Sequence, residues 1–268
     1  MSFELFAVDD FVVVRYTIYI GYRGIVVMFD FQFSSLSIND KQLLREASVS
    51  LPAGAVCYIT GVNGSGKSSL LQALAGHPAY TMQDGSIIYN SIDYSDADAA
   101  ARARAGIFFI SQYSPVIPGL TVSRFLHEAA TALCVPMTSY DEFSAQAAAA
   151  LTAVGLPAHF LSREVGVGFS GGERKRFELA QLLLFKPHVI LLDEVDSGLD
   201  KQALHIFGEQ LRIYREQYPD TLMLIVTHYA HLLSYLPADY AYHIERGNLR
   251  AIEVDQLPHY LAGAVHGR

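Results

Sequence analysis

The sequence predicts an α/β domain built around a parallel sheet, with an antiparallel β subdomain and a helical subdomain inserted in the chain. Three observations carry this expectation. The first is a glycine-rich run, Gly61-Val-Asn-Gly-Ser-Gly-Lys-Ser-Ser69, set between the apolar segment Val56–Ile59 and the helix-forming segment Leu70–Ala75. The second is a pair of wholly apolar runs, Val189–Leu192 and Leu222–Val226, of the kind found in strands covered on both faces. The third is the alanine-rich run Ala145–Ala153, whose high helix propensity breaks into the strand-rich pattern.

Taken in order, residues 1–27 read as an N-terminal extension of uncertain role. Phe11–Met28 is apolar, yet Arg15 and Arg23 interrupt it and aromatic and β-branched residues dominate. A β-prone extension is expected there, rather than a membrane span or a cleaved leader. From Met28 the pattern is that of strands. Phe29, Phe31 and Phe33 alternate with polar residues, Leu36 and Ile38 come next, and Asn39-Asp40 marks a turn. Leu43–Leu51 alternates loosely as the returning arm of a hairpin, closed by Pro52-Ala53-Gly54. Ile87–Tyr89 and Ile107–Ile110 read as further strands, and Asp96–Arg104 as a helix between them. The stretch from about Tyr113 to Phe169 is expected to be mostly helical. Gly171–Phe185 and Lys201–Tyr214 read as helices around the Val189–Leu192 strand. A strand pair near Tyr240–Ile244 and Leu249–Val254 flanks the turn Arg246-Gly247-Asn248. The main domain is thus expected over 28–254, with 255–268 as a C-terminal tail.

Strand, glycine-rich loop, Lys-Ser and helix in this order make a phosphate-binding P-loop. Gly61, Gly64 and Gly66 let successive N–H groups curl inward, with Asn63 and Ser65 between them, and the helix start adds unpaired N–H groups and a positive dipole end. Lys67 supplies a point charge for the phosphates. Ser68, with Ser69 after it, offers a hydroxyl to Mg²⁺, a hard cation that prefers oxygen. Asp193 and Glu194 close a buried strand whose carboxyl end falls beside the P-loop. Asp193 is expected to hold Mg²⁺, and Glu194 to polarise the attacking water. Gln112 ends a second buried strand, where its amide would sense Mg²⁺ and that water. His228 ends a third, where its imidazole would reach the γ-phosphate.

Composition narrows the classes further. In 268 residues, 51% are apolar and 17% charged, which suits a globular chain with a sizeable core. The formal net charge of −8 argues against a nucleic-acid binder, which usually carries a basic face. Cys57 and Cys134 stand far apart without ligand spacing, so they read as free thiols and not as metal ligands, in keeping with a reducing, cytoplasmic compartment.

On these residues the chain resembles the ATP-binding cassette (ABC) ATPases. GVNGSGKSS matches the family's P-loop and Gln112 its Q-loop residue. Phe169-Ser-Gly-Gly-Glu173 matches the signature, VILLDE ending at Asp193-Glu194 the Walker B run, Ser197-Gly-Leu-Asp200 the D-loop, and His228 the switch histidine. The resemblance implies a P-loop NTPase fold of ABC type. It also implies that ATP draws two copies together head to tail, each site joining one P-loop to Ser170, Gly171 and Gly172 of the other, with Asp200 bridging across. Two departures stand out. Phe169 and Glu173 occupy positions where the family more often has Leu and Gln. No aromatic residue stands near Leu36–Ile38, where the family often stacks adenine.

Within that family, four stretches resemble SufC, the ABC-type ATPase of iron–sulfur cluster assembly. They are Ala75–Tyr80, Tyr113–Gly119, Asp193–Asp200 and Thr227–Tyr235, and the helix from Glu173 is also similar. The resemblance implies ATP hydrolysis that drives a conformational change in SufB/SufD-like scaffold proteins, with no membrane span in this chain. It competes with the ATP-binding subunit of an ABC membrane transporter, such as a haem exporter, and with a non-catalytic ATP-gated scaffold. Glu194 and His228 speak against the last of these. A further expectation is that a basic residue of the Arg174–Arg176 run ion-pairs with Glu194 in the unassembled chain, with Lys175 as the one to test.

Overall fold

The computed structural model describes residues 27–137, 139–196 and 199–265. The expected N-terminal extension lies outside these residues up to position 26, as do Ser197 and Gly198 of the D-loop.

The chain opens with β1 (Val27–Phe33), β2 (Ser35–Ile38), β3 (Lys41–Leu44) and β4 (Ala47–Pro52). Phe29, Phe31 and Phe33 all point inward and are buried. Asn39 and Asp40 both take positive φ (45° and 62°), which a tight hairpin turn requires and which short polar side chains tolerate. The segment Leu43–Leu51 is two strands and not one. β3 pairs with β2 and β4 with β1, so Arg45–Glu46 carries the chain from one sheet to another. β5 (Val56–Gly61) then leads into α1 (Lys67–Leu74). β6 (Tyr80–Gln83), β7 (Ser86–Tyr89) and β8 (Ile92–Asp93) complete two antiparallel sheets of order β3-β2-β6 and β4-β1-β7-β8.

Past α2 (Ala99–Arg104) and β9 (Ile107–Ile110), the chain leaves the core along β10 (Ile117–Thr121). It continues through α3 (Val122–Ala132), α4 (Tyr140–Ala153) and a 3-10 turn at Ala158–Ser162, and returns along β11 (Glu164–Val165). The helical segment therefore starts at Val122, with an antiparallel ribbon at its base where Ile117 faces Val165. The remaining elements are α5 (Gly171–Phe185), β12 (Val189–Asp193), α6 (Lys201–Gln217), β13 (Leu222–Val226), β14 (Tyr240–Glu245), β15 (Asn248–Ala251) and α7 (Leu257–Val265). The expected C-terminal tail is helical in its first part, and α7 buries Leu257 and Leu261 in the core.

The central sheet has the order β15-β14-β5-β13-β12-β9, parallel throughout except at β15. Its β5, β12 and β13 strands are buried at every position. Alternate residues feed two cores. Tyr58, Ile190, Leu192, Met223 and Ile225 pack with the helical segment, α5 and α6. Cys57, Ile59, Leu191 and Leu224 pack with α1 and the antiparallel sheets. Burial on both faces is the reason these strands read as unbroken apolar runs.

Candidate active site

Register places the site. Ile59 stands beside Val226, Val226 beside Asp193, and Leu192 beside Ile110 on the parallel strands. The residues just beyond these ends, Gly61, His228, Glu194 and Gln112, therefore meet along one edge of the sheet.

The P-loop crosses that edge. Gly61 has φ 153°, and a Cβ there would lie 2.6 Å from Ser65 Oγ and 2.8 Å from the Ile244 carbonyl, so only glycine lets the loop close on the sheet. Gly66, at φ 105°, opens α1. Lys67 is buried, and its Nζ donates to the carbonyls of Gly61 (2.9 Å) and Val62 (3.1 Å). Burial pulls the Lys67 ammonium below its ordinary range, with Glu194 and Asp193 opposing that shift. Asn63 and Gly64 are exposed at the loop's apex, while Ser65 Oγ is buried with no hydrogen-bond partner among the described residues.

Ser68 Oγ donates to Asp193 Oδ1 at 2.8 Å, so the expected pair of Mg²⁺ ligands is assembled, while Ser69 stands behind it on α1, half-buried. Burial raises the Asp193 carboxyl above the usual carboxylate range, against the Ser68 hydrogen bond. The donor set is all oxygen, and a cation there would offset the burial that disfavours the Asp193 charge, so the residues fit Mg²⁺.

Glu194 sits between two arms. Gln112 Nε2 donates to Glu194 Oε2 (2.8 Å), and His228 Nε2 lies 3.1 Å from Glu194 Oε1. The Glu194 backbone takes φ 47°, a strained conformation for this residue, pinned by its N–H donating to the Val226 carbonyl at 2.9 Å. Gln112 is thus brought to Glu194 and not to the Ser68–Asp193 pair. A second link runs parallel to the first: the Thr227 hydroxyl donates to Asp196, whose other carboxylate oxygen is buried without a partner among the described residues. The motif reading gave neither Thr227 nor Asp196 a role. Thr227 directly precedes His228 and Asp196 follows Glu194 by two residues, and only the pairing of β12 with β13 brings the two together.

The expected pairing of the Arg174–Arg176 run with Glu194 is not found among the described residues, where the Glu194 carboxylate meets Gln112 and His228 instead. Lys175 Nζ instead donates to Glu178 Oε2 (3.0 Å) and to the Ser111 carbonyl, while Arg176 donates to the Gly155 carbonyl (2.9 Å). Glu178 lies one helical turn from Lys175 and is buried with it, so the local acid wins over the distant one. Ser170 caps α5: its Oγ accepts from Glu173 N (3.2 Å), and Glu173 Oε2 accepts from Ser170 N (2.7 Å), a complete capping box. Gly171 and Gly172 form the first turn, and a Cβ at Gly171 would meet nothing within 4 Å. Asp200 caps α6, accepting from Ala203 N at 2.7 Å. At the expected adenine position Leu36 is wholly buried, which leaves only Ser37 and Ile38 partly accessible.

A model of the ABC transporter family matches residues 44–197. The chain belongs to the ABC transporter family. As a member it is an ATP-binding cassette and an ATPase. Among its relatives, a probable ATP-dependent transporter of Synechocystis sp., slr0075, is 37% identical over 217 residues, covering 80% of this chain and 84% of that protein. The probable ATP-dependent transporter ycf16 of Antithamnion sp. is 33% identical over 222 residues, covering 80% and 86%. In fold, the cassette aligns with MJ0796, described as a dimeric structure of a bacterial ABC transporter cassette. The TM-score is 0.72 at 20% identity, over 85% of this chain and 99% of that one. It aligns with the ADP conformation of the cassette MJ1267 at TM-score 0.70 and 21% identity, over 90% and 99%. Among the described residues no helix of the cassette is long and apolar enough to cross a membrane.

Proposed function

We propose that this cassette is the ATP-hydrolysing subunit that drives conformational change in a SufB/SufD-type scaffold for iron–sulfur cluster assembly, in the cytoplasm. The observation that carries the reading is the likeness of four stretches, Ala75–Tyr80, Tyr113–Gly119, Asp193–Asp200 and Thr227–Tyr235, to those of SufC. The exposed Tyr113 and Tyr229 fit a role in contact with another protein. A second reading, the ATP-binding subunit of a membrane transporter, is favoured by the relatives' names.

In either reading the chemistry is the same. The Gly61–Ser69 loop and α1 hold the phosphates through backbone N–H groups and Lys67. Ser68 and Asp193 would hold Mg²⁺, which when bound would supply positive charge to the phosphate oxygens. Glu194 takes a proton from the attacking water, oriented by the Gln112 amide and the His228 imidazole. The signature loop Ser170–Gly172 completes the site from a second copy, which gives each chain two half-sites and makes hydrolysis depend on closure.

Two experiments test this. Glu194→Gln should bind ATP with near wild-type affinity, lose hydrolysis by roughly 10²-fold or more, and accumulate as an ATP-bound dimer in size-exclusion chromatography. Undiminished turnover would remove Glu194 from the role of base. Co-purification of the tagged full chain should recover water-soluble scaffold proteins that raise its ATPase rate. Recovery of a membrane-embedded partner instead would replace the assembly reading with the transporter one.

A further inference from the structure

The two positions at which the signature departs from its family, Phe169 and Glu173, share one neighbour, Arg163. Its guanidinium carbon lies 4.3 Å from the centroid of the Phe160 ring and 4.5 Å from that of the Phe169 ring. One terminal nitrogen donates to the carbonyls of Gly168 (3.1 Å) and, less closely, Val167 (3.4 Å). The other lies 3.6 Å from Glu173 Oε1. The Arg163 main chain is fixed on its own account: its N–H donates to the Phe160 carbonyl at 3.0 Å and its carbonyl accepts from Val122 N at 2.8 Å.

The loop so closed needs a clamp. Gly166 and Gly168 both take positive φ (72° and 66°), so its backbone has more conformational freedom to lose than an ordinary turn. It carries no strand pairing beyond Val165. The loop runs straight into Ser170-Gly-Gly, the start of α5, so any slack in it displaces the signature. Glu173 adds an electrostatic problem. Its carboxylate holds the Ser170 N–H and stands among the N–H groups that would face a phosphate, where a negative charge repels the ligand. Arg163, 3.6 Å from Glu173 Oε1, is a cation placed to offset that charge.

We infer that Arg163 is the positioning residue of the Ser170–Gly172 loop, and that it acts in trans, on hydrolysis at the nucleotide held by the P-loop of a second copy of this chain. The inference rests on the two-copy site proposed above. A planar guanidinium performs three tasks at once that an ammonium cannot: stacking between two rings, reaching two carbonyls, and offsetting the Glu173 charge. Its side-chain partners among the described residues, Phe160, Val167, Gly168, Phe169 and Glu173, all lie outside its own chain's P-loop.

Full-length variants test this. Arg163→Ala should bind a fluorescent ATP analogue as the isolated wild-type chain does, within about 2-fold, while kcat falls roughly 10–100-fold, the scale of loss from a misplaced contact. Arg163→Lys should fall with it, because charge alone does not restore the stack and the fork. Mixing Arg163→Ala with Lys67→Ala should recover hydrolysis that neither has alone. In the mixed dimer, one site joins the intact P-loop of the first to the intact signature of the second. The control is Ser170→Arg mixed with Lys67→Ala. If the control recovers activity and the Arg163→Ala mixture does not, the trans role of Arg163 is overturned while the two-copy site stands. If neither mixture recovers, the two-copy site itself falls. Loss of ATP binding by Arg163→Ala alone, or wild-type turnover by Arg163→Lys, also overturns the inference.

Discussion

Glu173 shows how a single side chain can trade one task against another. As the third residue of α5 it completes a capping box, and as an anion at a helix N-terminus it meets the dipole favourably. The Ser170 N–H, foremost, holds its carboxyl below the usual range, with help from Arg163 and Arg176. Linkage sets the sign: with the folded pKa depressed, this stabilisation is fully present above the unfolded value of about 4.3 and is lost as pH falls through the folded one. Glu173→Gln keeps the box's hydrogen-bonding pattern but not the charge. Wild type should therefore exceed Glu173→Gln in stability by roughly 0.3–1 kcal/mol at neutral pH, and urea melts taken at falling pH should show the gap closing below about pH 4. A gap independent of pH would mean that the charge contributes nothing. The P-loop, signature and Walker B residues were legible because each of those motifs is contiguous, while Gln112 and His228 were legible only as the residues that follow apolar strands. Arg163 and the Thr227–Asp196 link were not, since their partners are set by strand register and loop closure, which no local spacing encodes. The Lys175–Glu194 pairing failed for the same reason: helix geometry supplied a nearer acid.

At the scale of elements, legibility tracked burial. β12 and β13 were readable because both their faces are covered, so nearly every residue is apolar. β6 exposes alternate residues of mixed polarity, and β10 contains Pro118-Gly119, which by composition marks a turn. Both escaped the pattern, as did the division of Leu43–Leu51 between two sheets and the burial of α7. One close approach between elements makes a quantitative test. Gly208 lies mid-way along α6, where alanine would improve helix propensity by about 1 kcal/mol. Yet a Cβ there would stand 2.4–2.7 Å from ring atoms of Tyr235. That ring cannot easily swing aside, because its hydroxyl is 2.9 Å from His205 Nδ1. The clash should outweigh the propensity, and Gly208→Ala should lose about 1–3 kcal/mol in chemical denaturation. A variant more stable than wild type would show that α6 can shift away from Tyr235. ATP affinity should not change, since Gly208 is remote from the P-loop in the chain and faces a different element.

For the whole molecule, the proposed nucleotide site stands at the carboxyl end of a sheet whose two faces feed separate cores. A ligand bound there and not to the unfolded chain should stabilise the cassette as one unit. At free Mg-ATP about 100-fold above Kd the gain is about 2.7 kcal/mol, which for a chain of this size raises the thermal midpoint by roughly 5–10 °C. The shift should depend on Lys67. Its ammonium is buried, and burial disfavours its charge despite the opposing pull of Glu194 and Asp193, so a phosphate brought to the loop would add a counter-charge to an ammonium that donates to the Gly61 and Val62 carbonyls. Lys67→Ala should flatten the ATP dependence of the midpoint, and an undiminished shift in that variant would contradict the P-loop assignment. Ser170→Arg should behave oppositely in dilute protein. It leaves the P-loop of its own chain intact, so the monomer should keep the ATP-induced rise. The further, protein-concentration-dependent rise that the wild type gains when ATP closes two copies together should be missing from it. Thermal scans over a range of protein concentrations thus separate binding by one chain from closure by two, and a wild-type midpoint that ignores protein concentration at saturating ATP would argue against the shared site.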